Sequence, residues 1–167
     1  AEADLVLLSG DLFDGGELYG ETLDALAQAL GGLKAQVFIA PGNHDYWTPH
    51  SAYARKWPSH VHIFTEPEIE RVDLPELGCT VYGTAFTGPC REDRALKGFR
   101  APDDGRVHLM VLHGEVASES RYGPVPLEDL AESGLDYVAL GHVHTCSGVQ
   151  RAGNTFWAYP GCPEGRG

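Results

Sequence analysis

The hydrophobic pattern of the chain alternates between short apolar runs and amphipathic stretches. Continuous apolar runs are typical of strands that are covered on both faces, and apolar residues at every third or fourth position are typical of helices. The runs predict strands over 4–9, 36–40, 107–112 and 137–140. The spacing predicts helices over 21–30 and 126–132, and a short helix that begins at Thr48 and Pro49. Strands alternating with helices predict an α/β fold.

Two further regions predict antiparallel strand pairs. Residues 61–64, 69–74 and 79–86 are short β-prone pieces separated by Pro and Gly, which predicts neighbouring antiparallel strands. Residues 148–158 predict a hairpin that turns at Gly153 and Asn154. The sheet is therefore expected to be mixed.

Composition adds limits on partners and compartment. A chain of 167 residues suits one domain, and a formal net charge of -12 repels polyanions at long range. No apolar run reaches the length that spans a membrane. The cysteines show no CxxC spacing, which favours reduced thiols and a cytoplasmic protein: Cys79, Cys90, Cys146 and Cys162.

Polar residues follow each predicted buried strand. Residues 4–9 lead into GDLFD, 36–40 into PGNHD, 107–112 into HGE and 137–140 into GHVH. In open α/β sheets, the loops that leave the carboxyl ends of the strands line one edge, where ligands bind. Six candidate side chains are therefore expected at a common rim: Asp11, Asn43, His44, His113, His142 and His144.

This mixture of side chains suits divalent metals. Imidazole nitrogens, a carboxylate and an amide oxygen are ligands for Mn, Zn or Fe. One carboxylate can bridge two cations, and two cations about 3.5 to 4 Å apart stabilise both the attacking and the leaving oxygen of a phosphoryl displacement. Each motif alone has a simpler explanation as a turn or a surface pair. Their joint occurrence favours a metal site, whereas packing or solvent roles are expected for His50, His60, His62 and His108.

The ordered motifs GDLFD, PGNHD, LHGE and GHVH resemble the signature of the calcineurin-like metallophosphoesterase superfamily. Within it, RYGPVPLEDLAESGLDYVALGHVHT is most similar to the SbcD-like DNA repair exonucleases, including their YhaO branch. The resemblance implies a layered sandwich of mixed β-sheets flanked by helices, in the order αββα. It also implies one catalytic domain over residues 1–167 that hydrolyses phosphodiester bonds with a metal-bound hydroxide.

The resemblance implies roles for individual residues. Asp11 would bridge two divalent metal ions. Mn is the first candidate for these ions, and Zn, Fe and Mg are alternatives. One metal would be bound by Asp11 together with Asn43, His113 and His142. The other metal would be bound by Asp11 and His144. His44 would be catalytic, acting on the leaving oxygen or on charge in the transition state, and Asp45 would orient its imidazole. Asp14 would support the site or the fold.

One departure from the family concerns its first motif. The family begins with a D-x-H motif on an earlier strand, and the Asp and His of this motif are ligands of the second metal. This chain contains no such motif. The sequence is therefore interpreted as a fragment without the first strand and helix, and its second metal site is expected to be incomplete.

The substrate has alternatives. The resemblance implies DNA as substrate, an SbcC-like ATPase as partner and a homodimer, whereas the acidic composition opposes DNA binding because phosphate contacts need Lys and Arg. The alternatives are a small-molecule or cyclic-nucleotide phosphodiesterase or phosphatase, and a metal-impaired scaffold without activity. Rim aromatics could stack on bases, although packing is their more frequent role: Tyr46, Trp47, Trp57 and Tyr122.

Overall fold

Two β-sheets form the centre of the structure, which is a computed structural model that describes residues 3–13 and 20–162. The first sheet is parallel, in the order β1-β2-β3, with strands β1 (Leu5–Leu8), β2 (Gln36–Ile39) and β3 (Val61–Ile63). The second sheet has the order β4-β5-β6-β7-β9-β8. Its strands are β4 (Glu70–Leu74), β5 (Cys79–Gly83), β6 (Val107–His113), β7 (Tyr137–Gly141), β8 (Gln150–Ala152) and β9 (Thr155–Ala158).

The second sheet is mixed, as predicted. Its four inner strands run parallel, and the outer strands β4 and β8 are antiparallel to their neighbours. The strands β8 and β9 form the predicted hairpin. Gly153 occupies its turn with a φ of 58°, a conformation that glycine adopts without steric cost.

The alternation of side chains along β1 shows how the layers are stacked. Leu5 and Leu7 pack into the core between the two sheets, together with Val81 and Val111 of the second sheet. Val6 and Leu8 point the other way, into the core that the first sheet shares with the helix α1 (Gly20–Gly31). Successive residues of a strand point to opposite faces, so each face of this half-buried strand contacts a core.

The outer face of the second sheet is covered in the same manner. The helix α2 (Leu127–Glu132) places Leu130 against Met110, Leu112 and Val138 of the sheet. Helix, sheet, sheet and helix therefore follow one another, and the predicted αββα sandwich is confirmed.

Two local predictions were wrong. The strand β3 pairs in parallel with β2 in the first sheet, instead of antiparallel beside β4. The segment between β2 and β3 is long enough for a parallel crossover, which a two-residue turn could not provide. The short helix expected at Thr48 is a 3₁₀ turn over Ala52–Ala54, preceded by a turn in which Ser51 N donates to Thr48 O. No helix in residues 3–13 and 20–162 is long and apolar enough to cross a membrane.

Candidate metal centre

Four of the predicted side chains meet where β1, β2, β6 and β7 end. Ligand atoms of Asp11, His113 and His142 lie within 4.8 Å of one another. Asn43 joins them, because its Oδ1 lies 2.9 Å from His113 Nε2 and 3.2 Å from His142 Nδ1. The carboxyl ends of two strands of each sheet thus bring a carboxylate, an amide and two imidazoles together.

The tautomer of His113 follows from its second hydrogen bond. His113 Nδ1 lies 2.8 Å from the carbonyl oxygen of Ser9, which can only accept, so Nδ1 carries the proton. In the neutral ring, Nε2 then presents a lone pair, 3.4 Å from Asp11 Oδ2 and 2.9 Å from the Asn43 oxygen. Three electron-rich atoms facing one point fit a bound cation, and a backbone carbonyl that fixes the ligating histidine is typical of metal sites.

Burial keeps these imidazoles in the form that binds metals. Desolvation lowers the pKa of His113, which is only 2% exposed, although the Asp11 carboxylate opposes this effect. Desolvation and the neighbouring His113 lower the pKa of His142 as well. Both rings therefore favour the neutral state at neutral pH, as metal ligation requires.

Two ligands and two glycines show how tightly the loops pack. Asp11 and His142 have positive φ values of 52° and 97°, a region that side chains other than glycine seldom adopt. A Cβ on Gly42 would overlap the Asp11 carboxylate, and a Cβ on Gly141 would overlap the Ser9 carbonyl that holds His113. The glycines in PGNHD and GHVH are therefore explained by close approach, not only by turn formation.

The Asp45 carboxylate holds the loop that carries Asp11. It is 8% exposed and accepts hydrogen bonds from four backbone N–H groups, at distances from 2.7 to 3.3 Å. Those groups belong to Asp11, Leu12, Phe13 and Gly42. The Tyr53 hydroxyl donates a fifth hydrogen bond to the same carboxylate. Burial, followed by the charge of Asp45, raises the pKa of Tyr53 well above its usual value, so this hydroxyl stays a donor.

The two remaining predicted histidines lie at the exposed part of the rim. The backbone N–H of His44 donates to Asp11 Oδ1 at 2.9 Å, and the residue itself is exposed. His144 is also exposed and lies outside the group of converging ligand atoms. It lines an open cleft of about 610 Å³ together with Asp11 and His142, and the walls of this cleft are apolar side chains of β1, β7 and β9. The catalytic role of His44, the orienting role of Asp45 and the metal role of His144 stay predictions, and Asp14 lies outside the described residues.

Several supporting residues were not predicted from the sequence. Ser9 acts through its backbone carbonyl, which any residue could supply, so no side-chain signal marks it. Phe86 packs edge-on against His113, with ring centroids 5.3 Å apart. Tyr53 lies eight residues after Asp45 in a 3₁₀ turn, and a lone tyrosine there carries no recognisable pattern.

Comparison with known proteins agrees with this geometry. A family model described as calcineurin-like phosphoesterase matches residues 1–146. The chain belongs to the calcineurin-like phosphoesterase family. It is also 31% identical, over 176 aligned positions, to the uncharacterized metallophosphoesterase YhaO of Bacillus subtilis (strain 168).

The match with YhaO covers 98% of this chain and 42% of that protein, so the chain spans less than half the length of its curated relative. Family membership indicates phosphoester hydrolysis that depends on divalent metal ions. Asp11, His113 and His142 form a partial site for such an ion, with Asn43 beside them.

Proposed function

We propose that the chain is the catalytic domain of a phosphodiesterase that uses two divalent cations, with Mn²⁺ as the first to test. The observation that carries this proposal is the convergence of Asp11, Asn43, His113 and His142 at one point. Cations held there would supply Lewis acidity and a nucleophile at neutral pH. The side chains for the first cation are these four, and Asp11 with His144 would contribute to the second.

The chain's own residues contribute position and proton transfer. Asp11 Oδ1 accepts the His44 N–H, which fixes the backbone of His44 beside the carboxylate. His44 is exposed at the rim, next to the converging ligand atoms, where a substrate bound at this site would lie. We infer that it donates a proton to the leaving oxygen or stabilises the charge that develops there.

The finer proposal for the substrate is DNA, with activity like that of the SbcD exonucleases. It is supported by the likeness of residues 121–145 to those enzymes. A homodimer and an SbcC-like ATPase partner belong to the same proposal, because either could supply the basic surface that a chain with a net charge of -12 lacks.

One observation favours a small substrate instead. The arginines that follow β5 bind acidic groups within the domain: Arg91 binds Asp93, Arg94 binds Asp129, Arg100 binds Glu132, and Arg106 binds Asp73. A carboxylate beside each guanidinium offsets part of the positive charge that it could present to a nucleic-acid phosphate. A cyclic nucleotide or another small phosphodiester is therefore the second candidate.

The test is hydrolysis of bis-p-nitrophenyl phosphate with Mn²⁺, combined with calorimetric titration of Mn²⁺. We expect hydrolysis by the wild type and a loss of about 100-fold or more in His44→Ala, because one proton-transfer group typically contributes 10²–10⁴-fold. His50→Ala is the matched control, since His50 is an exposed histidine further along the same loop.

Mn²⁺ binding without hydrolysis of this ester, or of DNA and cyclic nucleotides, would favour the scaffold alternative. The same panel separates the two substrate candidates. Release of nucleotides from linear DNA supports the exonuclease, and turnover of cyclic nucleotides alone supports the small-molecule enzyme.

A further inference from the structure

Tyr122 forms the outer end of a row of rings that includes two of the candidate metal ligands. The buried Phe86 packs edge-on against His113, and His113 packs edge-on against His142 at 5.3 Å. Tyr122 then lies on His142, with ring centroids 4.9 Å apart and planes inclined by only 31°. The last pair is tilted, so Tyr122 lies across the imidazole at an angle and not perpendicular to it.

The residue still presents surface to solvent. Tyr122 is 37% exposed, although one side of its ring contacts His142. A large aromatic side chain that stays partly exposed beside the candidate metal site can contact a substrate, because part of its apolar surface is not buried in the core.

The backbone around Tyr122 is fixed from both sides. Arg91 N donates to Arg121 O at 2.8 Å, and Gly123 N donates to Arg91 O at 2.7 Å. Tyr122 N itself donates to Ser120 Oγ at 3.0 Å.

The Arg91 side chain is 8% exposed, and its guanidinium binds Thr84 Oγ1, the Pro67 carbonyl and Asp93. This segment therefore holds the tyrosine in place before any ligand arrives. Little conformational entropy then remains to be lost when a ligand binds.

We propose that Tyr122 is a specificity-determining residue that stacks on the nucleobase of a phosphodiester bound beside His142. This proposal rests on the proposed function, because it places the scissile phosphate at the metal centre. Stacking suits this protein for an electrostatic reason. A nucleobase has an uncharged aromatic face, so stacking adds affinity for a nucleotide without requiring basic side chains. This matters in a chain whose net charge of -12 repels anions.

The experiment compares two ligands that share a phosphate and differ in the base. Protein loaded with Mn²⁺ is titrated by calorimetry with thymidine 5′-monophosphate and, separately, with inorganic phosphate. The quantity of interest is the ratio of the two dissociation constants. We expect Tyr122→Leu to reduce the preference for the nucleotide by about tenfold, since stacking of one base typically contributes between about 5- and 150-fold in affinity.

Two further variants control for the loss of an aromatic ring. Tyr122→Phe keeps the ring and should keep the preference. Phe156→Leu removes an aromatic side chain of similar exposure, 45%, on the hairpin strand β9, and should leave the preference unchanged.

Two results would overturn the proposal. In the first, the wild type binds the nucleotide no more tightly than phosphate. In the second, Tyr122→Leu weakens both ligands equally or lowers only the affinity for Mn²⁺. Tyr122 would then be a packing partner that positions His142.

Failure of the proposed function has a different signature. In that case Mn²⁺ either does not bind or binds without hydrolysis of the phosphodiesters. The nucleotide and phosphate titrations still decide the stacking, and they are run without metal if Mn²⁺ does not bind. A preference for the nucleotide that depends on Tyr122 supports it, and the absence of such a preference refutes it.

Discussion

The two sides of the rim differ in burial. His113 is buried among side chains that contact it, whereas His144 is exposed beside an open cleft. His113 is 2% exposed, donates to the Ser9 carbonyl and contacts Phe86, Asn43 and His142. His144 is exposed, and apolar side chains of three strands line the cleft beside it. The two histidines were predicted from similar motifs, yet among the residues that the structure describes only His113 has contacts that fix its ring orientation. A preorganised ligand binds metal more tightly, so the two sides should differ in affinity.

The largest effect is expected from His113→Gln. Glutamine removes the ring nitrogen that faces Asp11 and Asn43, and it removes the contact with Ser9. Replacing residues that merely orient metal ligands typically costs 10- to 100-fold in metal affinity, so loss of a ligand should weaken Mn²⁺ binding by at least about 100-fold. Calorimetric titration measures the change, and circular dichroism checks that the variant is folded. An unchanged affinity for the tight site would remove His113 from the metal centre.

Much of the fold could be predicted because continuous apolar runs indicate strands with apolar side chains on both faces. Continuous apolar runs at 4–9, 107–112 and 137–140 predicted covered strands, and β1, β6 and β7 confirm the strands. Both faces of β6 are covered, whereas one face of β7 lines the open cleft with Tyr137 and Ala139. The placement of β3 was wrong because strand direction and sheet membership depend on the crossover. A run such as 61–64 fits a parallel or an antiparallel neighbour equally well.

The candidate site was predictable to a similar depth. The Gly-flanked polar motifs after the strands identified Asp11, Asn43, His113 and His142, and the structure brings these four together. Contacts that depend on tertiary packing carry no such local signal. The Ser9 carbonyl under His113 and the Tyr122 ring on His142 lie 104 and 20 positions from their partners along the chain, so only the folded structure reveals them.

Asp45→Asn tests the hydrogen bonds that hold the loop carrying Asp11, next to His113. Five donors converge on the carboxylate, and an asparagine would turn one of its acceptors into a donor that faces them. Buried donors left without partners cost about 1 to 3 kcal/mol each, so we expect the free energy of unfolding to fall by about 2 to 4 kcal/mol. Urea denaturation measures this change.

Tyr53→Phe is the matched control, because it removes one donor and leaves the acceptor intact. It should cost about 1 kcal/mol. Equal losses in the two variants would indicate that the backbone contacts of Asp45 contribute little.

Tyr159→Phe tests a contact that joins the loop after β6 to the residue that follows β9. The Tyr159 hydroxyl donates to Gly114 O and accepts from Val116 N, so its loss should lower the free energy of unfolding by about 1 to 2 kcal/mol at pH 7. Burial raises the pKa of Tyr159 to about 12. The unfolded chain releases this proton near pH 10 while the folded chain retains it, so ionisation destabilises the fold between pH 10 and 12.

The variant should therefore show a shallower loss of stability across that range, by up to about 2.7 kcal/mol, the equivalent of two pKa units. Urea denaturation at pH 8, 10 and 11.5 measures the slope. Tyr137→Phe is a useful control, since burial also raises the pKa of Tyr137. Identical slopes for the wild type and Tyr159→Phe would mean that the phenol ionises equally in both states.

The smallest effect is expected from His144→Ala, and this variant tests the other side of the comparison directly. An exposed side chain outside the converging group contributes little to folding, so the free energy of unfolding should change by less than about 0.5 kcal/mol. The tight Mn²⁺ site should be retained, and only a weaker second binding event should diminish in the calorimetric titration. Loss of the tight site to the extent expected for His113→Gln would show that the two sides act as one preorganised unit, with the exposed histidine as an equal ligand. Retention of the tight site would locate the preorganised affinity in the groups that pack around His113: the Ser9 carbonyl, Asn43 and the ring of Phe86.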